Sequence, residues 1–213
     1  MVPGAATSTN QSDAYITDGR EGGLGGYAHG TLWRVDLYGA LLRGPISAAE
    51  LLAFYLHLIV NAGTHAAAQV VDHFVDNMNA FQAMAREGAK SPFNRWLYRE
   101  IVGSEVYRAV AYKLRIAQRW GVWLLLADAA SRNYTAVCDA VADKAKVTFT
   151  WATLPGTALA ALALAERTMD RLLADERGAT AARQASPAPG RAALVAGPAI
   201  VAAAEGAFHA TAP

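Results

Sequence analysis

The stretch PISAAELLAFYLHLIVNAG, residues 45–63, carries a dense set of helix signals. Ser47 and Glu50 have the spacing of a capping box directly after Pro45. An apolar run over residues 51–60 follows, and Gly63 is expected to end the helix. The stretch therefore predicts a long, largely buried α-helix.

Similar signals recur along the chain. Caps and breakers at Thr64, Ser91-Pro92, Ser104, Thr135 and Thr157 predict helices over about 65–87, 91–102, 104–130, 135–146 and 157–178. Short extended pieces are expected only at 32–38 and 147–151, where β-branched and aromatic residues are concentrated. We therefore expect an all-α fold, a helical bundle of five or six helices with extended N- and C-terminal arms.

The composition changes at both ends of the chain. Residues 1–31 are rich in glycine and are expected to form an irregular arm, residues 32–178 the bundle core, and residues 179–213 an Ala/Pro-rich arm. Neither arm has enough apolar surface to offset its ordering entropy. We expect a neighbouring copy of the chain to order both arms, so that the protein is a homo-oligomer.

The overall composition limits the function classes. The 213 residues carry a formal net charge of +1 and one cysteine, which excludes an internal disulfide framework. The N-terminus is polar, unlike a signal peptide, and the longest apolar runs, 51–60 and 121–130, are too short to span a membrane. A soluble intracellular protein without a membrane partner is expected.

Positive charge is concentrated between residues 86 and 119, which hold eight basic and three acidic residues. On a helix, Arg108, Tyr112, Arg115 and Arg119 would share one stripe. Arginines spaced in this way can follow a phosphate backbone, and tyrosine can stack on a base. The stripe predicts a nucleic-acid contact that does not depend on base sequence.

One predicted helix earlier, Arg95 and Arg99 flank Trp96 and add to the candidate nucleic-acid site. The alternative is that these arginines are solvated or pair with carboxylates of neighbouring helices. The candidate partners are Asp72, Asp76, Asp128 and Asp139.

Motifs for catalysis or cofactors are weak. Asp72 and Asp76 would share a helix face with His65, but no second helix offers matching metal ligands. The segment from Gly23 to Ala28 matches G-x-G-x-x-A, but no apolar strand precedes it and no helix opens there. No G-x-S-x-G is present. We therefore expect no metal, no cofactor and no enzymatic activity.

Three short segments carry a family resemblance: Val106-Tyr107-Arg108, the run over residues 124–128, and Arg132-Asn133. Together they resemble a segment of tobamovirus coat proteins, and the C-terminal arm is similar to the proteins that coat polymycovirus RNA. The resemblance implies a structural coat protein that assembles into a helical filament around nucleic acid, with single-stranded RNA expected. It also implies a location in the virion or the host cytoplasm.

Two other classes stay open at this point. One is a non-viral helical scaffold or adaptor whose basic helix docks an acidic partner. The other is a helical bundle that binds a small ligand.

Overall fold

The computed structural model describes residues 7–85, 89, 91–119 and 124–185. The chain divides into a unit that ends at Asp175 and a second unit that begins at Glu176. Of the second unit, residues 176–185 are described, and they are helical. The proposed division at residues 31/32 and 178/179 stays a prediction, as does assembly through the arms, because residues 1–6 and 186–213 lie outside the described residues.

The described part contains strands and helices in mixed order, with one-turn 3-10 helices at Leu41–Arg43 and Ala111–Lys113. In chain order the elements are β1 Thr7–Thr17, β2 Glu21–Ala28, β3 Thr31–Asp36, α1 Ile46–Val60, α2 Ala62–Ala67, β4 Val70–Val75, α3 Met78–Ala85, α4 Pro92–Gly103, α5 Glu105–Arg108, β5 Leu114–Gln118, α6 Leu125–Ser131, α7 Thr135–Ala145, β6 Thr150–Trp151 and α8 Gly156–Ala185. No helix among these is long and apolar enough to cross a membrane.

The strands form one six-stranded mixed sheet in the order β5-β4-β1-β2-β3-β6. The first three strands are antiparallel, β4 is parallel to β1, and β5 is parallel to β4. The expected all-α fold is therefore wrong, and the protein is an α/β protein.

Two turns that the sequence encodes build the antiparallel half of the sheet. Asp18 and Gly19 both have positive φ between β1 and β2, and His29 and Gly30 both have positive φ between β2 and β3. Paired positive φ angles are the conformation of type I′ hairpin turns, for which Asp-Gly is a strong signal. Most of the expected N-terminal arm is thus a hairpin inside the sheet.

The two long helices expected over 65–87 and 104–130 are also wrong. Residues 70–75 (VVDHFV) form a strand in which Val71, His73 and Val75 are buried and their neighbours are half-buried. That period of two is the pattern of a strand. The second stretch contains α5, a 3-10 turn, β5 and α6. By contrast, helices close to the expected ones occur at α1, α4, α7 and α8.

Helices cover both faces of the sheet, and the glycines of β2 show which helix lies on which face. A Cβ atom added to Gly26 would meet His57 of α1 and Trp33 of β3. One added to Gly25 would instead meet Ala127 and Ser131, both of α6. Successive residues of a strand point to opposite faces. Therefore α1 and α6 lie on opposite sides of the sheet.

A buried polar network lies between α1 and the sheet. Trp33 Nε1 donates to His57 Nδ1 at 3.1 Å. Because an indole N–H only donates, His57 carries its hydrogen on Nε2 and donates it to Asn10 Oδ1 at 3.2 Å. His65 Nε2 donates to the same oxygen at 2.8 Å, and His73 Nε2 is 2.8 Å from Ser12 Oγ. Burial lowers the pKa of all three histidines.

Candidate active site

Two buried carboxyl groups meet, one carried by β1 and the other by α1. Asp13 in β1 and Glu50 in α1 are each 3% exposed, and their carboxyl groups are hydrogen-bonded to each other. The backbone N–H of Ala14 donates to Asp13 Oδ1 at 2.8 Å. Two carboxyl groups can share a hydrogen bond only when one of them keeps a proton.

The pKa values of this pair follow from burial. Burial is the largest cause that raises the pKa of Asp13, to about 7, and the charges of Asp128 and Asp76 raise it further. Burial also raises the pKa of Glu50 well above its usual value, with the charge of Asp13 as the next cause. The four carboxylates therefore form one electrostatic cluster, and it holds a proton at neutral pH in the absence of a cation.

The sheet register brings Asp76 beside Asp13. The last residue of β4, Val75, is in register with Ser12 of β1, so Asp76, which follows β4, comes beside Asp13. Asp76 thus lies at the carboxyl end of β4, and open α/β sheets bind their ligands at the carboxyl ends of their strands.

The fourth carboxylate, Asp128, reaches the cluster because α6 approaches β2 unusually closely. A Cβ atom on Gly25 would lie 2.3 Å from Ser131 N, and one on Gly23 would lie 2.3 Å from Ser131 O. Only glycine leaves room for the helix backbone at these positions. The glycines of the G-x-G-x-x-A segment therefore serve helix–sheet packing.

A cleft of about 650 Å³ opens beside the cluster. Polar and apolar surface contribute about equally to its lining, which consists of Ala14, Tyr15, Ile16, Ile46, Glu50, Asp76, Asn77, Met78, Asn79, Gln118 and Arg132. Gln118 Nε2 donates to the backbone oxygen of Asp76 at 2.9 Å, which ties the end of β5 to the edge of the cleft. The cleft gives an outside ligand access to Glu50 and Asp76.

The donor set fits a hard divalent cation. Carboxylate oxygens are the ligands that Mg²⁺ takes from proteins, usually one or two carboxylates together with water and substrate phosphates. Glu50 Oε2 is buried, and no N–H or hydroxyl group of the described residues donates to it. As the side chains stand, the described residues contain no group of three His, Cys, Asp or Glu already arranged around an ion position. Asp13, Glu50 and Asp128 are engaged instead with a carboxyl or guanidinium group.

The residues predicted to bind nucleic acid do not form one helical stripe. Exposed Arg95 and Arg99 lie on α4, and exposed Arg108 ends α5. Tyr112 lies in a 3-10 turn and is 83% exposed.

The alternative of intramolecular pairing holds for Arg115. Its Nε and Nη2 atoms donate to the two carboxylate oxygens of Asp72 at 2.7 and 3.2 Å, across β5 and β4. Arg119 follows β5, and its guanidinium carbon is 5.4 Å from the ring centre of Phe74. Arg119 is one of the six predicted contact residues, and it lies next in sequence to Gln118, which lines the cleft.

Sequence reasoning missed the carboxylate cluster. Glu50 was interpreted as a capping residue, but α1 begins at Ile46 without a side-chain cap. A carboxylate directly before the apolar run 51–60, in a helix expected to be buried, was the available signal. Asp13 lay in the supposed arm, and Asp128 was interpreted as part of a family resemblance and as a candidate partner of the arginines.

Two solved structures are similar to this chain. The crystal structure of RNase H1 from the halophilic archaeon Halobacterium salinarum NRC-1 has a TM-score of 0.48 and 10% sequence identity, and it covers 62% of this chain and 98% of that one. The N-terminal RNase H domain of rv2228c from Mycobacterium tuberculosis, solved as a fusion with maltose-binding protein, has a TM-score of 0.45, 14% identity, and coverage of 64% and 99%. No protein-family model and no curated protein matches the chain.

These findings correct the functional expectations. The coat-protein resemblance is wrong, because it implied a mainly helical subunit and the described residues form a six-stranded mixed sheet. The scaffold and the small-ligand bundle were both helical bundles, and they do not fit either. The expectation of no enzymatic activity is overturned as well, by the carboxylate cluster that borders the cleft.

Proposed function

We propose that this protein is a metal-dependent phosphodiesterase that cleaves nucleic acid. The observation that carries the proposal is the cluster of Asp13, Glu50, Asp76 and Asp128, in which burial and mutual repulsion keep a proton that a divalent cation would displace. Clusters of this composition suit ions that stabilise the attacking and leaving oxygens of phosphoryl transfer.

In the reaction, the oxygen of a water molecule bonds to phosphorus, the bond from phosphorus to the leaving oxygen breaks, and the leaving oxygen takes up a proton. A divalent cation held by the four carboxylates would supply Lewis acidity and lower the pKa of water. The protein holds the carboxylates in place through the Asp13–Glu50 contact, the Ala14 N–H and the close approach of α6 to β2.

Nucleic acid is the proposed substrate because cationic and amide side chains lie around the cleft. Arg132, Asn77, Asn79 and Gln118 line it. Exposed Arg119 follows Gln118, and we propose that it contacts the phosphate backbone beside the cleft. Contacts by the other predicted residues stay a prediction, and for Arg115 such a contact competes with its pair to Asp72. RNA, the expected nucleic acid, is the first substrate to test, both single-stranded and paired with DNA.

The test is cleavage of labelled single-stranded RNA, single-stranded DNA, an RNA–DNA hybrid and duplex DNA, with Mg²⁺, Mn²⁺ or EDTA. We expect metal-dependent cleavage of at least one substrate, and a loss of about 100-fold or more in Asp13→Asn and Asp76→Asn. Asp72→Asn is the matched control, since it changes the same residue type in β4, the strand that Asp76 follows, and Asp72 does not line the cleft.

Cleavage of none of the four substrates, or unchanged cleavage by Asp13→Asn, would refute the proposal. An equal loss in Asp72→Asn would show that the substitutions act through the fold of β4 instead.

A further inference from the structure

A guanidinium group stands among the carboxylates of the cleft. Arg132 follows the last residue of α6, and its Nε lies 2.6 Å from Asp128 Oδ1, one helical turn earlier. The two side chains are 37% and 32% exposed, so the pair is partly shielded from water. Arg132 lines the same cleft as Glu50 and Asp76.

A second contact holds the guanidinium in this place. Its central carbon lies 5.3 Å from the ring centre of Tyr15, two residues after Asp13 in β1. The Tyr15 ring packs closely against Gly23, where an added Cβ atom would be 3.0 Å from Tyr15 Cε1. A cation over a tyrosine face within about 6 Å is attracted by the ring. Arg132 is thus fixed by a carboxylate and a ring from two different elements.

This position conflicts with a divalent cation. Arginine remains charged at every relevant pH, so it repels a metal ion and occupies an oxygen of Asp128. The same guanidinium group matches the oxygens of a phosphate. If the four carboxylates bind metal and the cleft binds a phosphodiester, the guanidinium group opposes the metal and can bind the phosphate.

Resting on the proposed function, we infer that Arg132 competes with the divalent cation for Asp128. While the cleft lacks a cation, Arg132 neutralises Asp128. When a cation takes Asp128, the guanidinium is released and binds a phosphate oxygen of the substrate. Arg132 is therefore a positioning residue for Asp128 and a substrate contact, and it weakens the intrinsic affinity for metal.

The test measures Mn²⁺ binding without substrate, by calorimetry and by electron paramagnetic resonance. Arg132→Gln is expected to bind Mn²⁺ about three- to tenfold more tightly than the wild type, because a partly exposed ion pair no longer has to be broken. Arg132→Lys retains the charge and should stay closer to the wild type. Lys144→Gln removes one charge from the exposed side of α7 and should change nothing.

A second readout moves in the opposite direction. At saturating Mn²⁺, Arg132→Gln should raise KM for the cleaved oligonucleotide, since the phosphate loses a ligand. If Arg132 only stabilised α6, its substitution would not tighten metal binding and weaken substrate binding at the same time. If Arg132→Gln does not fold, Arg132→Met retains the apolar stem over Tyr15 and is judged by the same criteria.

Unchanged or weaker Mn²⁺ binding by the uncharged variants, with normal binding by the wild type, would overturn this inference alone. Absence of Mn²⁺ binding in both the wild type and the variants would overturn the proposed function together with it.

Discussion

Asp13 and Glu50 are joined by a hydrogen bond between two carboxyl groups, each of them only 3% exposed. Two ionised carboxylates at this depth would repel each other, so the pair is stabilised by a proton, which a divalent cation would displace under the proposed function. This relationship makes the stability of the protein sensitive to pH and to substitution of either residue.

The first prediction concerns Asp13→Asn without metal. Burial raises the folded-state pKa of Asp13 from 3.8 to about 7. The stability that protonated Asp13 contributes is complete below about pH 4, which is its pKa in the unfolded chain. This contribution is lost as the pH rises through 7. The amide of asparagine has no such loss and can donate to Glu50. We expect the free energy of unfolding of Asp13→Asn, relative to the wild type, to increase by about 2–3 kcal/mol between pH 5 and pH 8.

Urea unfolding of both proteins at the two pH values, in EDTA, measures this difference. Comparing the two proteins at each pH removes the contribution of the buried histidines, which is common to both. A difference that is independent of pH would contradict the shifted pKa of Asp13.

The second prediction concerns metal addition at pH 8. A divalent cation should replace the proton and relieve the repulsion, so Mg²⁺ or Mn²⁺ should raise Tm of the wild type. Ligand at 100 times its dissociation constant adds about 2.7 kcal/mol of stability. Asp13→Asn and Asp128→Asn should respond much less, whereas Asp72→Asn should respond like the wild type. An equal rise of Tm in all four proteins would indicate ion binding elsewhere.

The local signals for several helices could be read correctly from the sequence. Ser91 Oγ accepts from Asn94 N at 3.1 Å, and Ser104 Oγ accepts from Tyr107 N at 3.3 Å, as their positions as helix caps predict. These contacts span three residues, so the sequence alone determines them. Ser47 has the same pattern but does not cap α1, which begins one residue earlier.

The sheet was missed because the residues that form it look unlike strands. β1 carries Ser8, Asn10 and Ser12, whose burial depends on partners such as His73, 61 residues away from Ser12. β2 is half glycine because α6 and α1 both approach it closely. Asp18-Gly19 was a local hairpin signal that glycine density obscured. The four carboxylates come together only once this topology is known.

The third prediction concerns Gly25→Ala. The new Cβ atom would lie 2.3 Å from Ser131 N and 2.9 Å from Ala127 O, both of them backbone atoms. α6 must therefore move away from β2 and take Asp128 with it. We expect a destabilisation of about 1–3 kcal/mol, together with weaker Mn²⁺ binding, measured by urea unfolding and calorimetry.

Gly63→Ala is the matched control for this substitution. It lies in α2, and an added Cβ atom meets nothing within 4 Å. This change should be neutral or stabilising by about 0.5–1 kcal/mol, with metal binding unchanged. Equal effects of the two substitutions would contradict the packing argument.

The last prediction concerns acid stability and His65. Burial lowers its pKa from 6.5 to about 4, and its Nε2 donates to Asn10 Oδ1 at 2.8 Å. Between about pH 6.5 and 4, His65 is therefore protonated in the unfolded chain but not in the folded one. The free energy of unfolding falls as the pH falls through this window. In His65→Gln, which retains an N–H donor, that dependence should disappear. The free energy of unfolding of the wild type relative to His65→Gln should decrease by about 2 kcal/mol from pH 7 to pH 5. Urea unfolding at both pH values measures it, and a constant difference would show that folding does not lower the pKa of His65.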